Sequence, residues 1–239
     1  QKLPPEKRTL ALSGGRSQYF VVEELKAFLP CAESQIPGLS VVATNAFIEP
    51  VGRTRYSATT LADSIVSLTG GQAIHPPVDN SRDVIRRYNA ALAQPGVRLA
   101  LIGAGGITDS FVANNAGTVV NHQGCQGDLA GIPVDNGFQP IHVQGLNDVY
   151  RQRLTLDQIR NWANGNLTKV WLLVTQEQKS QITDLVLRQQ KRVVSRAYLS
   201  VELANQLLRS HSSGSGVPAT SSPTQKPPQA ARPRKSTNR

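Results

Sequence analysis

Short apolar runs alternate along the chain with segments whose apolar residues recur at helical spacing. Thr9–Leu12, Leu39–Ala43, Ala73–Ile74, Leu99–Ile102, Lys169–Thr175 and Val193–Ser195 read as strands. Between and after them, Gln18–Phe28 repeats through Phe20, Val21, Leu25 and Phe28. Ala58–Thr69 ends at Gly70-Gly71, Ser81–Ala93 opens on a capping serine, and Thr155–Trp162 opens on a capping threonine. Ile107–Ala116, Gln176–Gln190 and Ser200–Ser210 complete the predicted helices. Strands alternating with helices predict an α/β domain around a mostly parallel sheet, spanning residues 8–210.

Two stretches break the alternation. Gly117–His142 is rich in Gly, Pro and Asn, and Asp135-Asn-Gly137 between Ile132–Val134 and Phe138–Val143 predicts a hairpin. After Ser210 the chain turns to Ser, Pro, Gln and Lys with almost no large apolar side chain, so residues 211–239 are expected to be a disordered tail. Residues 1–7 form a polar lead-in.

Charge follows this division. The formal charge is +10, but from Gln206 onward there are Arg209, Lys226, Arg232, Arg234, Lys235 and Arg239 and no acid. Residues 1–205 therefore hold 20 Lys/Arg against 16 Asp/Glu, a formal +4. A mildly basic body with a basic tail argues against a nucleic-acid groove in the body. No apolar run approaches the roughly 18 residues of a membrane span, and no secretory signal pattern opens the chain. The chain starts at Gln1 without any Met, the expectation for an excised or processed piece. Cys31 and Cys125 lack partners at metal-ligand spacing and suit a reducing, cytoplasmic setting.

The candidate chemistry lies in two glycine turns that end strands. Ser13-Gly-Gly-Arg-Ser17 follows the first strand, and Gly103-Ala-Gly-Gly106 follows Leu99–Ile102. At the carboxyl edge of a parallel sheet such turns bring backbone N–H groups and a helix start close to an anion. Arg16, Ser17, Thr108 and Ser110 add donors, so the pair points to a phosphate-bearing small ligand. Arg53 and Arg55 sit in the loop after the second strand, where one can reach a second phosphate or line the rim. Asp109 reads as a ligand contact or a helix cap, and Cys125 as a turn residue or a reactive thiol. His75, His122 and His142 have no metal-ligand spacing, and a dinucleotide fingerprint fails because residue 108 is Thr. No cofactor is implied.

The order of these motifs resembles the C-terminal effector-binding domain of the SorC family of bacterial sugar-responsive transcription regulators. The resemblance covers residues 8–208. It rests on Ser13-Gly-Gly-Arg-Ser17, Leu101-Ile-Gly-Ala-Gly-Gly106 with Asp109-Ser110, Gly127-Asp128 followed by Asp135-Asn-Gly137, and the strand Val170–Val174 with Lys179 beyond it. It departs from the family at Ser17, where Thr is usual, and at Arg196, where Asp is frequent. The resemblance implies a three-layer Rossmann-like fold with helices on both faces, like that of sugar-phosphate isomerases and deaminases. It also implies a phosphorylated-sugar effector, a homo-oligomer (dimer or tetramer), and DNA contact only through an upstream domain. Carried over, Gly14, Gly15, Arg16 and Ser17 hold phosphate, Gly103, Gly105 and Gly106 frame the cleft, and Asp128 and Lys179 contact hydroxyl or phosphate. The alternative is a sugar-phosphate isomerase or deaminase, with Asp109, Asp128 or His122 as base; a third reading is a scaffold acting through its basic tail.

Overall fold

The computed structural model describes residues 8–29, 35–47, 54–77, 81–93, 96–108, 124–143 and 150–213. In chain order its elements begin with β1 (Arg8–Leu12), α1 (Arg16–Phe28), β2 (Leu39–Ala43), β3 (Asn45–Phe47), α2 (Ala58–Thr69), β4 (Gln72–Ile74), α3 (Arg82–Leu92) and β5 (Val97–Gly105). They continue with β6 (Cys125–Leu129), β7 (Ile132–Asp135), β8 (Tyr150–Gln152), α4 (Leu156–Asn164), β9 (Lys169–Val174), α5 (Ser180–Leu187), β10 (Arg196–Leu199) and α6 (Val201–Ser213).

The strands β4-β2-β1-β5-β9-β10 lie side by side, every neighbouring pair parallel. Their side chains alternate between two buried faces. Leu12, Val41, Ala43 and Leu101 pack against Leu61, Ala62 and Ile65 of α2 and Val22 of α1. Ala11, Val42, Ala100, Ile102 and Leu172 face the opposite core, with Tyr88 and Leu92 of α3, Ile159 and Trp162 of α4, Ile182 of α5 and Leu203 of α6. Both faces of the central strands are covered, which is why these strands read as continuous apolar runs. Each fully buried Leu or Ile contributes about 1.5–3 kcal/mol. The three-layer, Rossmann-like α/β fold is the one expected.

From β1 the chain works outward through β2 to β4, then returns to the other side of β1 as β5 and continues to β9 and β10. The direction of winding reverses between β1 and β5. An open α/β sheet leaves its ligand crevice at such a reversal, outside the carboxyl ends of the two strands.

Several elements differ from expectation. The last strand is Arg196–Leu199, because Val193 enters the core while the Ser195 N–H donates to Val170 O at 2.7 Å and the ladder starts one residue later. The helix expected over Gln176–Gln190 is a 3-10 turn, Glu177–Lys179, followed by α5, and the last helix extends to Ser213. β3 and β8 form a small antiparallel pair that no local pattern announced. The principal hairpin joins β6 to β7 at Ala130-Gly131, with φ of 53° and 85°, the sign pattern of a primed two-residue turn. The expected turn at Asp135-Asn-Gly137 does form, through Phe138 N–H to Asp135 O at 3.0 Å, but it continues only as an isolated bridge from Val134 to Pro140. The helix predicted over Ile107–Ala116 lies, apart from its first two residues, outside the described residues, as do residues 1–7 and the tail from residue 214.

Candidate functional site

Ser13, the residue after β1, joins the two glycine turns. Its N–H donates to Leu101 O at 3.0 Å, and its buried Oγ accepts the Gly103 N–H at 3.0 Å. The ends of β1 and β5 are thus held against each other at the point where the winding reverses. Gly14 permits a close approach on the other side, since a Cβ there would stand 2.7 Å from Tyr56 O. The Gly15 N–H donates to the same oxygen at 2.8 Å. The turn is pinned beneath the 3-10 turn Thr54–Tyr56 that leads into α2.

Gly15 is the N-cap of α1 and supplies no side-chain cap. The first intrahelical bond is Tyr19 N–H to Gly15 O at 3.0 Å, so the N–H groups of Arg16, Ser17 and Gln18 precede it. The positive end of a 13-residue helix therefore opens at the β1/β5 joint. Arg16 is exposed, and no carboxylate among the described residues pairs with it. Arg55 lies over Tyr56 at 4.7 Å and near Tyr19 at 5.9 Å, where it is held by the rings.

The other wall comes from β9. Ser17 Oγ and Thr175 Oγ1 share a hydrogen bond of 3.1 Å, tying α1 to the residue just past β9. Lys179 follows in the 3-10 turn, its N–H donating to Gln176 O at 3.1 Å, and it is 8% exposed. It is therefore a buried lysine rather than one on a solvated helix face. Beyond Gly103, β5 pairs with β6 and sets Asp128 opposite Gly105. Asp128 is buried, and its Oδ1 accepts the Gly131 N–H at 2.9 Å, closing its own hairpin turn.

The structure thus gathers Gly14, Gly15, Arg16, Ser17, Gly103, Gly105 and Gly106 on one edge, with Asp128 beside Gly105 and Lys179 after β9. Arg53, Asp109, Ser110 and His122 lie outside the described residues. Buried polar side chains at the same edge escaped sequence reasoning: Gln18, Asn45 and Gln176 each bury a polar side-chain atom with no hydrogen-bond partner among the described residues. A Gln and an Asn one residue past recognisable turns carry no sequence signal of burial.

Cys125 opens β6 rather than filling a turn, and its surroundings do not suit a reactive thiol. Cys125 is buried, its Sγ–H donates to Gly127 O at 3.3 Å, and burial pushes its thiol pKa up, away from the nucleophilic thiolate. His75 pairs with Asp63 at 2.9 Å on the surface. Among the described residues, no group of His, Cys, Asp and Glu can hold a metal ion, and no helix is long and apolar enough to cross a membrane.

No protein-family model matches the sequence, and no curated protein does. Solved structures do match. The probable sor operon regulator from Shigella flexneri is 16% identical, with a TM-score of 0.64 over 86% of this chain and 82% of that one. A domain of a possible sugar-binding transcriptional regulator from Arthrobacter aurescens TC1 is 15% identical, with a TM-score of 0.64 over 85% and 79%. The full-length sorbitol operon regulator SorC from Klebsiella pneumoniae is 16% identical, with a TM-score of 0.65 over 86% and 68%. The chain has the fold of these regulators, the full-length SorC among them, which is the fold the resemblance implied.

Proposed function

We propose that this domain, built on the SorC-type fold, senses a phosphorylated sugar or glycolytic-type metabolite and is not itself an enzyme. The observation that carries the reading is the start of α1, which has no side-chain cap, opening at the reversal point between β1 and β5 with Arg16, which no carboxylate among the described residues pairs. In this reading the phosphate sits on the N–H groups of Arg16, Ser17 and Gln18. The Arg16 guanidinium adds a bidentate contact, and the Ser17 hydroxyl adds another. Gly14, Gly15, Gly103, Gly105 and Gly106 keep the floor low enough for that approach. Asp128 and Lys179 close on hydroxyl or phosphate oxygens, and Arg53, from the loop after the second strand, and Asp109, just past the second glycine turn, add further contacts.

Occupancy would act on the whole regulator by stabilising one subunit arrangement over another. That shift would change DNA affinity through a domain preceding this one. The test is a thermal-shift panel of sugar phosphates with the ligand assayed afterwards. A stabilising ligand recovered unchanged, with the shift lost in Arg16→Ala, supports sensing. Turnover of that ligand over hours, removed by Asp128→Asn, would replace sensing with catalysis. No shift across the panel would sink the proposal.

A further inference from the structure

The amide of Gln18 lies between the two glycine turns. Its Nε2 is 2.7 Å from where a Cβ of Gly103 would stand, and its Oε1 is 2.7 Å from the corresponding point on Gly15. The residue is 1% exposed, yet among the described residues Nε2 has no hydrogen-bond partner. A stranded amide costs the folded chain the desolvation of that group, and a leucine or methionine would fill the space without that cost. The same condition recurs on two neighbouring elements. Asn45, 2% exposed, donates from Nδ2 to Ala130 O at 3.1 Å, and Ala130 donates to Gly103 O at 2.8 Å, but Asn45 Oδ1 is unpartnered among the described residues. Gln176 follows Thr175, the hydroxyl partner of Ser17, and its Oε1 is also unpartnered among them.

Carboxamides are neutral and offer both a donor and an acceptor. A phosphate dianion only accepts, so it cannot satisfy the stranded oxygens of Asn45 and Gln176. A hydroxyl both donates and accepts, and it matches all three groups. We propose that Gln18, with Asn45 and Gln176, reads the hydroxyls of the ligand next to its phosphate, and that Gln18 sets specificity for a polyhydroxylated ligand over a plain anion. The identity of the phosphate half rests on the function proposed above; the polar half rests on these amides.

The test is titration calorimetry of the full chain and of Gln18→Leu and Gln18→Met. The probes are sugar monophosphates, the same sugars without phosphate, and inorganic phosphate, with the melting temperature of each ligand-free protein measured alongside. The expected result is a loss of about tenfold or more in sugar-phosphate affinity, the worth of one buried hydrogen bond with its stranded partner. Inorganic phosphate affinity stays within about twofold, and the ligand-free variants melt no lower than the parent. Equal losses for sugar phosphate and inorganic phosphate would overturn the proposal. So would unchanged sugar-phosphate binding, or ligand-free variants that melt several degrees lower, since the amide would then serve the fold. If the parent binds an unphosphorylated sugar in a Gln18-dependent way, the phosphate reading falls and the hydroxyl reading stands. If it binds neither sugar nor sugar phosphate, both fall.

Discussion

Gly127 is where the β6–β7 hairpin is clamped onto the end of β5, and its replacement gives a graded test of the site's architecture. Its φ is +135°, and a Cβ would stand 2.4 Å from Gly105 O and 3.0 Å from Ile182 Cβ. A side chain there carries a backbone penalty of about 1–3 kcal/mol. Forcing an extra methyl into packed backbone adds about 1–3 kcal/mol. Gly127→Ala should therefore destabilise by about 2–6 kcal/mol, or about 4–24 °C in Tm for a domain of this size. Two controls separate the contributions. Gly124 has φ +68° and nothing within 4 Å of its Cβ position, so Gly124→Ala should show only the left-handed penalty of about 1–2 kcal/mol. At Gly137 the nearest atoms are Asp135 Oδ1 at 3.4 Å and Gln139 Cγ at 3.9 Å, ordinary contacts, so Gly137→Ala should stay within about 0.5 kcal/mol. Urea unfolding reads all three as shifts in midpoint at constant m. If Gly127→Ala proves no worse than Gly124→Ala, the close approach to Gly105 is wrong, and so is the placement of Asp128 beside that residue.

Two further predictions concern the supports of the fold. Tyr88 is buried and its OH donates to Ala43 O at 2.6 Å; burial pushes its phenol pKa far above the ordinary value. The folded chain holds the proton while the unfolded chain releases it above about pH 10, so stability should fall as pH rises past that point. Tyr88→Phe should lose about 1 kcal/mol at neutral pH and flatten that alkaline decline, measured by urea unfolding at several pH values. An unchanged slope would mean the phenol is not the group responsible. Thr155 and Gln158 form a complete capping box at the start of α4. Thr155→Ala should lower stability by about 1 kcal/mol while leaving sugar-phosphate affinity unchanged by calorimetry; a change in affinity would tie α4 to the site.

The central strands were legible because each is buried on both faces, and β1 and β5 also end at glycine turns, as with Leu99–Ile102 before Gly103. Topology did the rest: a parallel sheet whose winding reverses between β1 and β5 sets the two turns side by side. What escaped was decided by distant partners. β10 is an edge strand with the sequence Arg-Ala-Tyr-Leu, less apolar than the Val193-Val194 pair before it, and only its register against β9 identifies it. Ala130 takes a positive φ that its own side chain disfavours, because its N–H and C=O are claimed by Gly103 and by Asn45 from β5 and β3. No window of neighbouring residues contains that information.

The helix α1 departs from expectation in the most informative way. Its spacing would turn Phe20, Val21, Leu25 and Phe28 inward, yet the structure buries Ser17, Gln18 and Val22 and leaves Phe20 55% and Phe28 75% exposed. At 100° per residue, Phe20 and Gln18 point to nearly opposite sides of the helix, so both cannot be buried. Burying a Phe is worth about 1.5–3 kcal/mol, and stranding the Gln18 amide costs about 1–3 kcal/mol. Both terms oppose the observed rotation. Turning α1 to bury Phe20 would withdraw Ser17 from Thr175 and Gln18 from Gly103, and so remove the polar side chains from the β1/β5 joint. Chains break local rules of this kind where a site requires it. The inverted amphipathicity of α1 is thus an independent mark of the candidate site, carried by the same residues whose ligand contacts are proposed.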